Sequence, residues 1–287
     1  MLWTCLQALW PTLRRRQRTF RQNLTHDVDL LRYSLIRAVA GNLKRRKLVP
    51  AAESFIRGLS IKAGRRADPY DTFQAIMDLS ESIGVSSAFY FITQWTHPIH
   101  DFGYVFDRPG TRALLRSIST RGHEIGLHGS YNSYADGEQL AREFATLKRV
   151  CSAAGIRQER WGGRQHFLRW RTPDTFQNWQ DAGLDYDSTL GYADAAGFRC
   201  GTCHQFPAFN AETGQTLRVI ERPLIAMEGT VMDASYQNLG ATTAALDRFK
   251  ALKDVCRYYD GEFTLLWHNN RLVDQREILL YSTLIAA

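Results

Sequence analysis

The chain has few cysteines and no long apolar run, and each shortage excludes a class of protein. Five cysteines in 287 residues, an odd number spread far apart, do not make the framework of a small disulfide-stapled domain. Cys200 and Cys203 have zinc-knuckle spacing, but no second pair accompanies them. No apolar stretch reaches the length that crosses a bilayer, and no repeat period is visible. We therefore expect one large domain with its own buried core.

Acidic residues are the minority, because 36 lysines and arginines face 29 aspartates and glutamates, a formal net charge of +7. The basic residues form early runs at 14–18, 44–47 and 65–66. No nucleic-acid-binding signature accompanies these runs, so we expect no nucleic-acid partner. A solvated face, or a patch that meets an anionic glycan or lipid, explains them. We expect a cytoplasmic protein, with peripheral membrane contact through Trp3, Trp10 and the arginines left open.

The beginning of the chain differs from the rest. An apolar segment, residues 1–10, precedes its basic run, which is the reverse of the order in a secretory signal. We assign residues 1–17 to an N-terminal basic and apolar extension and residues 18–287 to a single domain.

Strand-like and helix-like segments alternate along that domain. Strands are predicted at 20–25, 86–93, 123–128, 161–164, 183–189, 217–220 and 262–268. Helices are predicted at 30–62, 72–82, 111–120, 136–154, 172–182 and 242–259. This order predicts an α/β fold with a parallel sheet closed as a barrel, and chemistry at the carboxyl ends of its strands.

Polar residues collect where the predicted strands end. The set is Asp27 and Asp29, His128, Arg164 and His166, Asp185 and Asp187, and His268 and Asn269. In a barrel these ends meet. A carboxylate with one or two imidazoles suits zinc or a similar divalent ion, and such an ion lowers the pKa of bound water towards neutrality.

Two motifs, His26-Asp-Val-Asp29 and His123-Glu-Ile-Gly-Leu-His128, stand in this order in the chain. With them, residues 18–270 resemble the polysaccharide deacetylase family, carbohydrate esterase family 4. The closest resemblance is to a bacterial branch that carries these motifs instead of Thr-Phe-Asp-Asp-Gly. The resemblance implies a distorted (β/α) barrel, a divalent metal such as Zn²⁺, and hydrolysis of N-acetyl or related acyl groups. The implied substrate is a sugar of a surface polysaccharide or of its precursor, polymeric or lipid-linked.

The resemblance also implies roles for individual residues. Asp27 corresponds to the general base and His268 to the general acid, while Arg164 orients the base. Asp29 and His128 correspond to metal ligands. Other interpretations stay open: Asp29 as a helix cap, His268 as a core imidazole, and Arg164 as a partner of Asp185 or Asp187. His123 is interpreted as structural.

The chain departs from the family pattern at the third metal ligand. Asn132 stands where the family has a second histidine, four residues after His128. An amide oxygen is a poorer zinc ligand than an imidazole nitrogen. The family's Arg-x-Pro motif reads Arg164-Gln-His166 here, so His166 is the alternative third ligand.

Candidates for substrate binding are residues that can stack on a sugar or bond to it: Tyr131, Tyr134, Trp170 and Asp187. If the metal ligation is incomplete, the alternative function is a non-catalytic glycan-binding barrel. A hydrolase for a different bond at the same metal site is a third possibility.

Overall fold

The computed structural model describes residues 2–14, 18–44, 46–101 and 103–287, and only the backbone of residues 2–4. The side chain of Trp3 and all of Arg15, Arg16 and Arg45 lie outside the described residues. The interpretation of these residues therefore stays a prediction.

Strands of the described residues form one mixed sheet that curls into a half-barrel. The sheet order is β6-β7-β5-β4-β3-β2-β1-β9-β8, and only the β6–β7 pair is antiparallel. The strands are β1 (Arg21–Val28), β2 (Ser87–Phe91), β3 (Glu124–Gly129), β4 (Gly162–Gln165), β5 (Tyr186–Asp187), β6 (Phe206–Asn210), β7 (Gln215–Glu221), β8 (Ala226–Met227) and β9 (Glu262–Leu266).

The described residues also form ten α-helices, several of which pack on this sheet. They are α1 (Leu2–Leu9), α2 (Leu35–Lys44), α3 (Leu48–Lys62), α4 (Phe73–Ser82), α5 (Pro109–Thr120), α6 (Gly137–Ala153), α7 (Asp174–Ala182), α8 (Glu228–Met232), α9 (Thr243–Tyr258) and α10 (Gln275–Ala286). The prediction of a distorted α/β barrel is confirmed.

The expectation of a closed barrel was wrong. Among the described residues, β6 pairs with β7 and β8 pairs with β9, and no pairing joins β6 to β8. The antiparallel hairpin β6–β7 forms one edge of the sheet, and the two-residue strand β8 forms the other, so the barrel stays open between them.

The predicted helix at 30–62 is two helices, which is a second correction. The chain reverses around Arg46, whose φ is +56°, and α3 then packs back along α2. A methyl group on Gly58 would lie 2.5 Å from the Leu35 side chain, so the two helices are in close contact there. Lys44, Arg46 and Lys47 therefore lie at the turn of a hairpin. The sequence analysis also missed β6, β8, α8 and α10.

Alternation along the central strands separates the core from the barrel interior. In β3, Ile125 and Leu127 are buried in the main apolar cluster beneath the helices, as the period of two predicts. His128 lies on the opposite face, towards the barrel interior. In β1, Leu24 and Val28 likewise join the core, while Asp27 points inward to Arg164. Because the apolar side chains of each strand face the core, the side chains that alternate with them reach the barrel interior.

No helix of the described residues is both long and apolar enough to cross a membrane.

Candidate metal centre

Four parallel strands bring their carboxyl ends to one edge of the half-barrel. Asp27 lies at the end of β1 and Asp29 just beyond it, while His128 pairs in register with Arg164 of the neighbouring strand. His268 follows β9. These ends border a cavity of about 270 Å³, which is lined by Asp27, Asp29, His128, His166, Phe167, Glu228 and His268 among others.

Asp29 is the centre of this cluster. Its Oδ1 atom lies 3.4 Å from Nε2 of His128 and 3.5 Å from Nε2 of His166. Both distances exceed those of ordinary hydrogen bonds, and this buried oxygen has no hydrogen-bond partner among the described residues. A buried carboxylate oxygen with nothing but two imidazole nitrogens beside it fits a position for a cation.

The two imidazoles are oriented so that Nε2 is the atom offered to a metal. His128 donates from Nδ1 to the backbone carbonyl of Arg164 at 2.9 Å, and His166 donates from Nδ1 to Asp101 at 3.0 Å. A ligand histidine usually donates its other ring nitrogen in this way. Nε2 of each ring therefore faces Asp29, and a metal bound there would replace any proton that Nε2 carries.

The spacing also fits zinc. Two ligands about 2.0 Å from one tetrahedral ion are separated by about 3.3 Å, close to the two contacts of Asp29. The ligand atoms of Asp29, His128 and His166 all lie within 4.8 Å of one another, and no other such group occurs among the described His, Cys, Asp and Glu residues. In the described part of the chain, Cys200 and Cys203 therefore belong to no such group of ligands.

Charge favours a cation at the same point. Burial lowers the pKa of His166, but the carboxylates of Asp29 and Asp101 outweigh burial and raise that pKa to about 9. Burial opposes ionisation of Asp29 as well, yet His166 and His128 hold its pKa well below the usual value. Asp29 is therefore an anion at neutral pH, available as a ligand.

Asn132 is engaged elsewhere. Its amide donates to the backbone carbonyl of Thr96 at 3.0 Å, and its oxygen accepts from Arg169 at 3.1 Å. Its side chain is exposed, whereas the metal cluster is largely buried. Of the two third-ligand candidates, the structure brings His166 to the cluster and does not bring Asn132.

Asp27 and Arg164 form a buried ion pair at the side of this cluster. Nη1 of Arg164 donates to Asp27 at 2.8 Å, and its Nε donates to the carbonyl of Ser188 at 2.8 Å. Burial would raise the pKa of Asp27, but Arg164 and then His128 outweigh it and lower that pKa. The second oxygen of Asp27 lies 3.7 Å from Nε2 of His128. Among the described residues, Asp185 and Asp187 form no ion pair with Arg164.

Two glycines allow this arrangement. A Cβ on Gly163 would lie 1.8 Å from the carbonyl oxygen of Leu127, so only glycine lets β4 approach β3 there. A Cβ on Gly103 would lie 2.1 Å from the carbonyl oxygen of Asp29. The loop after β2 thus packs directly on the backbone of the central carboxylate residue.

His268 lines the same cavity and lies near the other oxygen of Asp29. Its Nδ1 donates to Glu228 at 2.5 Å, and its Nε2 lies 3.7 Å from Oδ2 of Asp29. Burial lowers the pKa of His268, but Glu228 and then Asp29 raise it to about 10. The imidazole is therefore protonated at neutral pH, with Nε2 facing the cavity.

His123 lies away from the cavity, at the start of β3. Its Nδ1 accepts a hydrogen bond from the backbone of Ser87, and its Nε2 contacts Glu81 at 3.1 Å. These contacts agree with the structural interpretation. Asp29 caps no helix, because the next helix begins only at Leu35.

The four residues predicted to bind substrate do not line the cavity. Tyr131 stacks on His100 and lies under the guanidinium of Arg169, and that guanidinium also lies over Tyr134. Trp170 packs on Phe176 beside the core. Their role in binding substrate stays a prediction.

Asp187 is fully buried in the barrel interior, where it accepts from the backbone and hydroxyl of Thr189. Burial raises its pKa to about 7. Two other aromatic residues do line the cavity, Phe167 and Tyr236. Both are exposed, and Phe167 has a φ of +59°.

Sequence analysis missed the two carboxylates that orient the imidazoles, Asp101 and Glu228. Asp101 stands in a loop after a predicted strand, a position that could have indicated it. Glu228 follows β8, a two-residue strand with no periodicity to detect, so no signal indicated it.

We expect Asp101→Asn to weaken zinc affinity about 10-fold to 100-fold, because a partner that holds a ligand histidine typically contributes that much. Competition with a chelating dye measures the affinity. The exposed carboxylate Asp247 supplies the control, Asp247→Asn. Unchanged affinity in a folded Asp101→Asn protein would show that His166 does not need this partner.

The fold and the cluster together define a class: an α/β half-barrel with a carboxylate and two imidazoles at the carboxyl ends of its strands. No family model matches the chain. No curated protein matches it either.

Solved structures share the fold. One from Mycobacterium smegmatis, named as a polysaccharide deacetylase, is 17% identical with a TM-score of 0.62, over 96% of this chain and 85% of that chain. An allantoinase is 13% identical with a TM-score of 0.55, over 95% and 85%. A structure from Pseudomonas aeruginosa PAO1, also named as a polysaccharide deacetylase, is 12% identical with a TM-score of 0.52, over 93% and 83%. The chain therefore has the fold of the polysaccharide deacetylases.

Proposed function

We propose that the chain is a metal-dependent hydrolase that removes an N-acetyl or related acyl group from a sugar. The observation that carries this proposal is the unpartnered Asp29 oxygen facing the Nε2 atoms of His128 and His166. The shared fold with structures named as polysaccharide deacetylases supports a carbohydrate substrate. We propose a sugar of a surface polysaccharide or of its polymeric or lipid-linked precursor.

Asp29, His128 and His166 would hold the ion, and His268 and Asp27 would remain free for proton transfer. Bound Zn²⁺ supplies a water of lowered pKa and polarises the acyl carbonyl. Asp27 is the proton acceptor in this proposal, because Arg164 keeps it ionised and fixes one of its oxygens. Its other oxygen lies beside His128, at the edge of the metal position.

His268 is the proton donor for the departing amine. It faces the cavity with Nε2, and Glu228 stabilises its protonated form from behind. Asp27 lies beside His128 and His268 lies beside Asp29. One is an ionised carboxylate and the other a protonated imidazole, so one can accept a proton while the other donates one. This division of roles is what hydrolysis of an amide requires.

The Glu228 carboxylate should set the alkaline limit of activity. A general acid works only while protonated, so activity should fall as pH rises through the pKa of His268. Glu228→Gln removes the negative charge at 2.5 Å and should move the alkaline limb of the kcat profile down by about one pH unit or more. An alkaline limb that stays in place in this variant would assign the general acid to another group.

The proposal is tested by measuring acetate release from N-acetylated sugars by the purified, zinc-loaded chain. The substrates should include a soluble oligosaccharide, a polymer and a lipid-linked sugar. We expect release from at least one of them, and loss of release after chelation. A folded chain that binds glycan but takes up no zinc, and releases no acetate when zinc is supplied in excess, would favour the alternative, a non-catalytic glycan-binding barrel.

An allantoinase shares the fold at a similar TM-score, so a hydrolase for a different bond is a second candidate. Allantoin added to the same assay separates the two. Turnover of allantoin without acetate release from any sugar would favour this second function.

A further inference from the structure

The hairpin of α2 and α3, inserted between β1 and α4, carries exposed apolar stripes. In α3 the exposed apolar residues recur at a spacing of three and four, along one side of the helix: Leu48, Val49, Ala52, Phe55, Ile56 and Leu59. In α2 the corresponding residues are Ile36, Ala40 and Leu43. The two helices pack mainly on each other, with Ala51 and Gly58 of α3 buried. The stripes therefore lie outside the contact that holds the hairpin together.

The same segment concentrates positive charge. Ten lysines and arginines and a single acid, Glu53, lie between residues 32 and 66, a formal net charge of +9. The whole chain carries +7, so the remainder is slightly acidic. Every one of these cations in the described part of the hairpin region is exposed. The hairpin is thus both the most basic and the most openly apolar surface on the described chain.

Of a nucleic acid, a second copy of the chain and an anionic membrane, the membrane suits both properties. A nucleic acid would account for the cations but not for the exposed Leu, Ile and Phe side chains. A second copy of the chain would cover the apolar stripes, but two segments of charge +9 would then repel each other. An anionic bilayer takes up apolar side chains between its headgroups and attracts the cations around them. We infer that the α2–α3 hairpin docks the protein on the surface of a membrane that contains anionic phospholipid.

The base of the hairpin adjoins the metal cavity. The side-chain amide of Asn269 donates to the carbonyls of Leu30 and Tyr70, at the two ends of the insertion. Asn269 directly follows His268, and its own carbonyl accepts from Thr72. Docking through the hairpin would hold this side of the cavity near the headgroups. The cavity could then reach the sugar of a lipid-linked substrate in the same membrane. This statement about the substrate rests on the proposed function.

Flotation of the full chain with vesicles tests the docking. We expect binding to vesicles of phosphatidylglycerol and phosphatidylcholine, weakened by salt, and little binding to phosphatidylcholine alone. Leu48→Ser/Ile56→Ser should weaken binding at least tenfold. Its control, Leu279→Ser/Val255→Ser, changes exposed apolar residues of α10 and α9 and should bind normally; Leu279 is 67% exposed, against 72% for Leu48 and 64% for Ile56.

Charge is tested by a second pair of variants. Lys47→Glu/Arg57→Glu should also weaken binding to the anionic vesicles at least tenfold, whereas Arg157→Glu/Arg218→Glu, with the same change in net charge, should have a much smaller effect. Thermal melting of all variants checks that each is folded.

Several outcomes would overturn the inference. The first is that the chain does not float with the anionic vesicles at low salt. The second is that the hairpin variants and their controls lose vesicle binding equally. The third is that the chain does not bind vesicles but sediments as a dimer, which the Leu48→Ser/Ile56→Ser change dissociates. The test is independent of catalysis. His166→Ala should float like the unmodified chain, and the hairpin variants should keep their turnover of a soluble substrate.

Discussion

Asp27→Asn should reduce turnover by about a hundredfold to ten-thousandfold, the range that loss of a general base typically gives. The zinc content should stay unchanged, because Asp27 is not among the three residues that converge on the metal position. The asparagine oxygen can still accept the hydrogen bond of Arg164, so the buried guanidinium keeps a partner and the chain should fold. Single-turnover acetate release and zinc analysis on the same sample measure both effects.

Asp185→Asn is the matched control for this experiment. Asp185 precedes β5 and accepts from the backbone of Trp161, away from the cavity. Its replacement should leave turnover within about twofold of the unmodified chain. Turnover that survives in zinc-loaded, folded Asp27→Asn protein would remove Asp27 from the mechanism.

His166→Ala should abolish tight zinc binding, and acetate release should fall with it by about a thousandfold or more. The reason is that, within the described residues, the variant leaves two convergent ligands, Asp29 and His128, and zinc sites in enzymes normally have three protein ligands. Isothermal titration with Zn²⁺, followed by the acetate assay in excess zinc, measures the two losses.

Asn132→Ala distinguishes the two candidates for the third ligand. Asn132 bonds to Thr96 and Arg169 and is exposed, so its loss should leave zinc affinity within about threefold. The opposite pattern would be tight zinc binding by His166→Ala and weak zinc binding by Asn132→Ala. That result would identify Asn132 as the third ligand, at the position that the family resemblance assigns.

Much of the site could be predicted because strand ends in a parallel sheet meet at one edge. Alternation in β3 separates Ile125 and Leu127 from His128, and the structure shows this separation. The carboxylates after β1 and the arginine of β4 were predicted at the same edge. Such inferences need only the period of a strand and the direction of a sheet.

The rest depended on tertiary contacts that the sequence does not reveal. Asp101 reaches His166 from a loop, and Glu228 reaches His268 from the first residue of α8, directly after a strand of two residues. The open edge of the sheet likewise depends on β6 turning back antiparallel on β7. In each case a long-range contact, and no local pattern, decides the outcome.

The hairpin illustrates a different limit. The helix-forming residues at 30–62 predicted one helix, because the cations at 44–47 favour a helix as readily as a turn. Pro50, in the first turn of α3, is a sequence signal for the break that the prediction did not use. The close packing of Gly58 on Leu35, which accompanies the break, is visible only in three dimensions.

The most direct test of the metal centre is a crystal structure of the zinc-loaded chain, with anomalous scattering recorded on both sides of the zinc absorption edge. The account predicts a single peak about 2.0–2.2 Å from Oδ1 of Asp29 and from Nε2 of His128 and His166. A zinc peak that lies out of contact with Asp29, or the absence of any peak at this edge of the sheet, would contradict the account.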